Sequence, residues 1–332
     1  MVFERRTFLL AGVAFMAGCA RASQGKPRGV SVWNDFKARF ILPEGRVVDS
    51  GNSAISHSEG QGYGLLLAEA VGDRQSFDRL LKWTEANLAR PHEALFSWRY
   101  EPGKGVTDPN NATDGDILIA WALMRAGARW RQPAYTRRAA EIRRDIRRHL
   151  VHEQGKRQIL LPGLVGFEHA DRVTINLSYY VWPALDAFRK ADGADQWGKL
   201  ITDGEQLLID GRAGPLALPT DWSDIDAEGR VTPARERPAR FGFDAIRIPL
   251  YLSLGRRQQG ADTITRFWRG YADRKAPIPA WVDVQTGETA PYAISEGGCA
   301  VVQRVLADGA VACPQNGAMD YYSTVLKALA EL

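Results

Sequence analysis

The sequence predicts an all-α fold, a closed ring of helical hairpins. Three observations carry this. Apolar residues recur at helical spacing in about eleven segments. Short and long gaps alternate between those segments, and no linker divides the chain. Short gaps such as Val71-Gly72-Asp73-Arg74 and Arg131-Gln132-Pro133 join antiparallel neighbours. The long gaps, 90–113, 154–174 and 210–243, then gather at one end of the array and wall a cleft there.

Taken in order, the expected helices span 30–41, 59–71, 75–89, 115–129, 134–152, 175–190, 195–209, 244–256, 261–272, 292–307 and 319–331. The second opens on Ser58-Glu59-Gly60-Gln61, which fits a capping box with Ser58 accepting from the first-turn amides and Gln61 reaching back. The fourth opens on Asp114 and Asp116, with Thr113 or Asp114 able to act as the cap. The fifth carries Arg137, Arg138, Arg143, Arg144, Arg147 and Arg148 at helical spacing, read as a solvated outer face. Asp244 opens the helix that runs through Tyr251. The long gaps hold strand-like pieces, Leu95–Tyr100 and Arg157–Leu161, and the turn former Asp108-Pro109-Asn110.

Residues 1–22 read as an export signal, and 23–332 as a single domain. Arg5 and Arg6 supply positive charge, Phe8 to Ala17 is apolar but too short to span a bilayer, and Ala20-Arg21-Ala22 fits a small-x-small cleavage site. Arg5-Arg6-Thr7-Phe8-Leu9 also resembles a twin-arginine signal. Met16-Ala17-Gly18-Cys19 resembles a lipoprotein box, which would anchor the chain through Cys19. A periplasmic or secreted location follows. Removal after Ala22 takes three basic residues and one acidic, leaving a formal charge of +2 from +4. So mild a balance does not point to nucleic acid. Cys299 and Cys313 remain, either bridged or as two buried thiols. No Cys/His cluster has metal spacing, so no metal or cofactor is expected.

The chemistry lies in three acids at three helix starts: Glu59, Asp114 and Asp244. Each could be a first-turn anion favoured by the helix dipole. Gly60, Gly62 and Gly64 argue for more at Glu59, since each weakens a helix by about 1 kcal/mol. They are explained if backbone must approach a ligand or another helix. Arg247, three residues past Asp244, can hold it ionised through a paired contact. If the three helices point the same way in a ring, their carboxylates converge on one cleft. Ten Trp and ten Tyr exceed what a core needs, and some can stack on a flat ligand.

The segment Ala112-Thr113-Asp114-Gly115-Asp116 through Trp130 resembles the signature of glycoside hydrolase family 8. The chain is most similar to the bacterial endoglucanases of that family that accompany cellulose synthesis. Ser58-Glu59-Gly60-Gln61-Gly62-Tyr63-Gly64 resembles the segment of the proton donor, and Phe243-Asp244-Ala245-Ile246-Arg247 that of the base, where the family more often has Tyr in place of Phe243. Asn176-Leu177-Ser178-Tyr179 and Pro219-Thr220-Asp221-Trp222 resemble further cleft segments. The resemblance implies an (α/α)6 barrel of six hairpins that cuts β-1,4-glucan with inversion. It implies Glu59 as general acid, Asp244 as general base, and Asp114 as the group that binds and distorts the sugar. It also implies substrate contacts at Asp116, Tyr63, Trp98, Tyr179, Tyr180, Trp222 and Arg247. Expected partners are the glucan itself and the cellulose-synthesis machinery, with the chain a monomer. Xylan, chitosan and mixed-linkage glucan are alternative substrates. A lyase or epimerase on a similar toroid would lean on His, Tyr or Arg rather than carboxylates, and a non-catalytic glucan-binding factor would not need all three acids.

Overall fold

A computed structural model describes residues 30–257, 259–307, 311, 313–314 and 319–332. The expected export signal and Cys19 lie outside the described residues. Eleven helices are present among them. They are α1 (Val30–Phe40), α2 (Ser58–Val71), α3 (Arg74–Asn87), α4 (Thr113–Trp130), α5 (Pro133–His149), α6 (Trp182–Asp192), α7 (Ala194–Asp210), α8 (Arg247–Leu254), α9 (Asp262–Asp273), α10 (Glu296–Leu306) and α11 (Tyr321–Ala330).

Six of these form an inner ring. α2 packs on α4, α4 on α6, α6 on α8, α8 on α10, α10 on α11, and α11 returns to α2. The inner helices are apolar nearly all round: α4 buries every residue from Thr113 to Leu123, and α8 buries Arg247 through Leu252. Such a helix has no solvent face and must sit inside. α3, α5, α7 and α9 bury one stripe each and lie outside, and α1 covers α11. This is the expected barrel. One continuous core runs through it, with Trp182, Trp197, Trp268, Tyr63, Tyr251 and Tyr321 among its largest fully buried side chains.

The short connections are sharp for local reasons. Gly72 ends α2 at φ 80°, where its N–H bonds back to Glu69 O at 2.9 Å. Pro133 begins α5 at a position where a missing N–H costs nothing. The long connections carry small antiparallel sheets. β1 (Ser56–His57), β2 (Ser97–Glu101) and β3 (Gly105–Asn111) form one. β4 (Val151–Gln154) pairs with β5 (Arg157–Leu160). β6 (Arg172–Ile175), β7 (Ser223–Asp226) and β8 (Val231–Pro233) form another three-stranded sheet, and β9 (Arg240–Phe241) pairs with β10 (Val282–Asp283).

Several first turns meet at the loop-bearing end. A Cβ added at Gly115 of α4 would stand 2.7 Å from the Glu59 nitrogen of α2. One at Gly60 of α2 would stand 2.6 Å from the Tyr321 hydroxyl of α11. One at Gly298 of α10 would stand 3.2 Å from Ile246, just ahead of α8. The glycines after Glu59 thus answer to neighbouring helices: Gly62 faces Leu118 Cβ at 2.7 Å.

Local expectations need correction at the caps. His57, not Ser58, caps α2, with Nδ1 accepting from Gly60 N at 3.0 Å. Gln61 does not reach back; its amide is buried and bonds Val47 N at 2.6 Å and Thr84 Oγ1 at 2.8 Å. Neither Thr113 nor Asp114 caps α4; Ala112 holds the cap position, and Thr113 Oγ1 donates to Leu161 O at 2.6 Å. The Arg face of α5 is only partly solvated, since Arg143 is buried in a two-bond pair with Asp192 at 2.7 and 2.8 Å. Cys299 and Cys313 are bridged, and the disulfide ties α10 to the segment ahead of α11. No helix among the described residues is long and apolar enough to cross a membrane.

Candidate active site

Glu59, Asp114 and Asp244 line one cavity of about 190 Å³ with Asn52, His57, Ser58, Trp98, Ala112, Tyr179 and Arg247. Each reaches it by a different route. Glu59 stands in the first turn of α2 and Asp114 in the first turn of α4. Asp244 precedes α8, in a turn that ends where Arg247 N bonds Asp244 O at 3.0 Å. Of the long loops, 90–113 lines the cavity through Trp98. Phe167 stacks on Trp222 with ring centroids 5.8 Å apart, and Tyr179 meets Trp222 edge-on at 6.1 Å.

Arg247 is the hub. Its guanidinium is almost fully buried. Nη2 donates to Asp244 Oδ1 at 2.7 Å and to Ser178 Oγ at 2.9 Å. Nη1 contacts Glu59 Oε1, donates to the Tyr63 hydroxyl at 3.2 Å and lies 3.6 Å from Asp114 Oδ2. The two terminal nitrogens of one guanidinium therefore hold Glu59 and Asp244. That brings the carboxyls together in one cavity and rules out three caps scattered over the surface.

Tyr63 is buried and lies beneath the cavity rather than on its wall. Its hydroxyl donates to Glu59 Oε1 at 2.9 Å and meets the Tyr251 hydroxyl at 3.2 Å. Burial, with Tyr251 beside it, pushes the Tyr63 phenol well above its usual range. Of the other expected contacts, Trp98, Tyr179 and Trp222 are half-buried on the cleft side.

Two further expected contacts, besides Tyr63, lie away from the cavity. Asp116 does not face the cleft. It is fully buried, accepting from Phe96 N at 2.9 Å and Asn111 Nδ2 at 2.8 Å, and so it ties the base of the β2–β3 hairpin to α4. Tyr180 is a core residue: its hydroxyl accepts from Leu160 N at 2.9 Å and its ring lies against Trp182.

The carboxyls share a crowded, poorly solvated site. Burial and the facing Asp244 raise Asp114 well above the usual carboxylate range. Asp244 is raised to about 7, by the protein packed round it and by the charge of Asp221, against the opposing pull of Asn176, Trp222 and Arg237. Arg247 makes the expected paired contact with Asp244, and burial and a second carboxylate pull against it. Asp244 and Asp221 are close enough to titrate as a pair.

Asp221 was not singled out from sequence. Its Oδ1 accepts from Gly242 N at 3.0 Å, Asp244 N at 3.1 Å and Ala245 N at 2.7 Å. Those partners are more than twenty residues away, so spacing gave no signal beyond its place in a cleft-like segment. Phe243 is exposed, and the Tyr322 hydroxyl donates to its carbonyl at 2.6 Å, beside the turn of Asp244. Among the described residues no cluster of His, Cys, Asp and Glu could hold a metal.

The profile of glycosyl hydrolases family 8 matches residues 5–332. The probable endoglucanase of Novacetimonas hansenii is 41% identical over 304 residues, covering 90% of this chain and 88% of its own length. The endoglucanase of Cellulomonas uda is 39% identical over 275 residues, covering 82% of this chain and 76% of its own. The crystal structure of the family 8 endoglucanase of Klebsiella pneumoniae superposes with a TM-score of 0.86 at 39% identity, covering 90% of this chain and 97% of that one. A match over nearly the whole sequence, on a barrel whose end gathers three carboxyls round one arginine, makes this chain a member of glycosyl hydrolase family 8.

Proposed function

We propose that this chain is an endo-acting β-1,4-glucanase that hydrolyses cellulose chains with inversion. Glu59 is the general acid and Asp244 the general base. The observation that carries the reading is the single guanidinium of Arg247 holding Glu59 and Asp244 in one cavity, with Asp114 within 3.6 Å of it. Glu59 protonates the glycosidic oxygen as the bond to the anomeric carbon breaks. Asp244 takes a proton from the water that attacks that carbon from the opposite face, and the new C–O bond forms with inverted configuration. A base with a pKa near 7 is well matched to drawing a proton from water near neutral pH. Asp114, pushed towards its neutral form, is a poor nucleophile and can donate a hydrogen bond to a sugar hydroxyl. Trp98, Tyr179 and Trp222 offer the flat apolar faces on which pyranose rings stack.

The enzyme acts outside the cytoplasm, as a monomer working beside the cellulose-synthesis machinery. The Cys299–Cys313 disulfide supports export, because such bonds persist in oxidising compartments. The test is reducing-sugar release from soluble cellulose by Glu59→Gln and Asp244→Asn. Each loses a proton-transfer role and keeps its shape, so each should drop about 10² to 10⁴-fold. Either variant retaining more than half the wild-type rate would sink the assignment.

A further inference from the structure

We propose that Asp221 is a positioning residue of the reaction, the group that both fixes the turn carrying Asp244 and tunes Asp244 as a base. This rests on Asp244 being the base. Three backbone amides of that turn, from Gly242, Asp244 and Ala245, converge on the one oxygen Oδ1 of Asp221. A carboxylate is the acceptor best suited to three donors at once. The fit is close on the other oxygen as well: a Cβ at Gly242 would stand 2.8 Å from Asp221 Oδ2, so only glycine lets the turn lie this near. Asp221 has no place among the residues that line the catalytic cavity, and its action on the reaction runs through Asp244.

The clamp has an electrostatic side. Asp221 is raised to about 6 by burial, against the three amides and Arg240. Asp221 and Asp244, the latter raised to about 7, titrate as a pair, and a charge on Asp221 opposes the ionisation of Asp244. The other groups facing Asp244 are Arg247 from α8, Arg237 after β8, Trp222 before β7, Asn176 and Tyr179 around the turn before α6, Asp114 from α4 and Tyr322 from α11. Of these, Arg247 and Arg237 stabilise the Asp244 anion, and Asp114 adds to the repulsion only when it is itself ionised. Asp221 is thus the neighbour whose charge keeps Asp244 basic, and the same carboxylate holds its backbone.

Asp221→Asn separates the two effects, because the amide oxygen can still accept the three N–H bonds while the charge is gone. The pH profile of kcat/KM on cellopentaose is read for wild type and Asp221→Asn, with Asp244→Asn alongside. The acid limb of Asp221→Asn should move down by about one pH unit, and its plateau kcat should fall about tenfold with KM little changed. Asp221→Ala, which loses the clamp as well, should fall further in rate and in melting temperature. An unmoved acid limb in a folded Asp221→Asn, with Asp244→Asn inactive, overturns the tuning role and leaves the acid–base assignment standing. Activity retained in Asp244→Asn overturns that assignment and the positioning role with it. Carboxyl-carbon NMR of the unaltered protein needs no variant: the Asp221 and Asp244 resonances should each show both titration steps. Two independent single-step curves would overturn the coupling.

Discussion

Gly115 of α4 lies directly against Glu59 of α2: a methyl group added at Gly115 would stand 2.7 Å from the Glu59 backbone nitrogen and would meet the Ser58 hydroxyl. The two helices that carry Asp114 and Glu59 therefore approach closely enough for backbone to meet backbone at this point. Gly115→Ala should cost about 1 to 3 kcal/mol through overpacking, and should lower kcat by displacing Glu59 from Arg247. Melting temperature and initial rate on soluble cellulose check it together. An unchanged rate would mean that the spacing of α2 and α4 does not set the acid.

Asp116 is predicted to matter for stability and not for turnover. Asp116→Ala strands the Phe96 N–H and the Asn111 amide in a buried setting, at about 1 to 3 kcal/mol per lost partner. The folded fraction should keep most of its kcat, whereas Asp114→Ala should lose it. Chemical denaturation and active-site-normalised rates separate the two. A large loss of kcat in stable Asp116→Ala would return Asp116 to the substrate.

Stability should fall as pH rises from about 4 to 7. Burial raises Asp116 and Asp244 to about 7 and Asp221 to about 6, so the folded chain binds these protons more tightly than the unfolded chain does. The stability they contribute is fully present below the ordinary carboxyl pKa of about 4 and is lost as pH rises through about 6 to 7. Asp73 works the other way: against the burial that would raise it, Lys37, Ser76 and Trp33 hold it down to about 2. Its contribution is lost as pH falls towards 2. Melting temperature against pH should peak at about 4. A curve that climbs steadily to pH 8 would contradict the buried carboxyls.

The helices were legible because inner and outer helices both leave a periodic signature, and all eleven expected segments hold a helix. Their starts were less legible where a side-chain hydrogen bond, and not the apolar period, decides them. The segment expected as helix from 175 opens with a tight turn at Leu177–Tyr179, because Asn176 Oδ1 takes the Ser178 N–H, and α6 begins only at Trp182. α8 begins only at Arg247 because the turn before it is bound to Asp221 through the amides of Gly242, Asp244 and Ala245. The two misplaced site residues share one cause. In a helix two residues lie about 200° apart, so Asp114 and Asp116 cannot both face the cleft. Tyr179 and Tyr180 diverge for the same kind of reason, one towards Trp222 and one towards Leu160. A residue type and a motif cannot assign the face; packing does.

The central claim is a pair of carboxyls that inverts the anomeric centre, and early-time proton NMR of the hydrolysate reads it directly. From a β-linked glucan the first product should be the α-anomer, appearing before mutarotation mixes the signals, because Asp244 activates water on the face opposite Glu59. A β-anomer dominant from the first spectrum would mean a covalent intermediate, with Asp114 as its nucleophile, and would contradict the account.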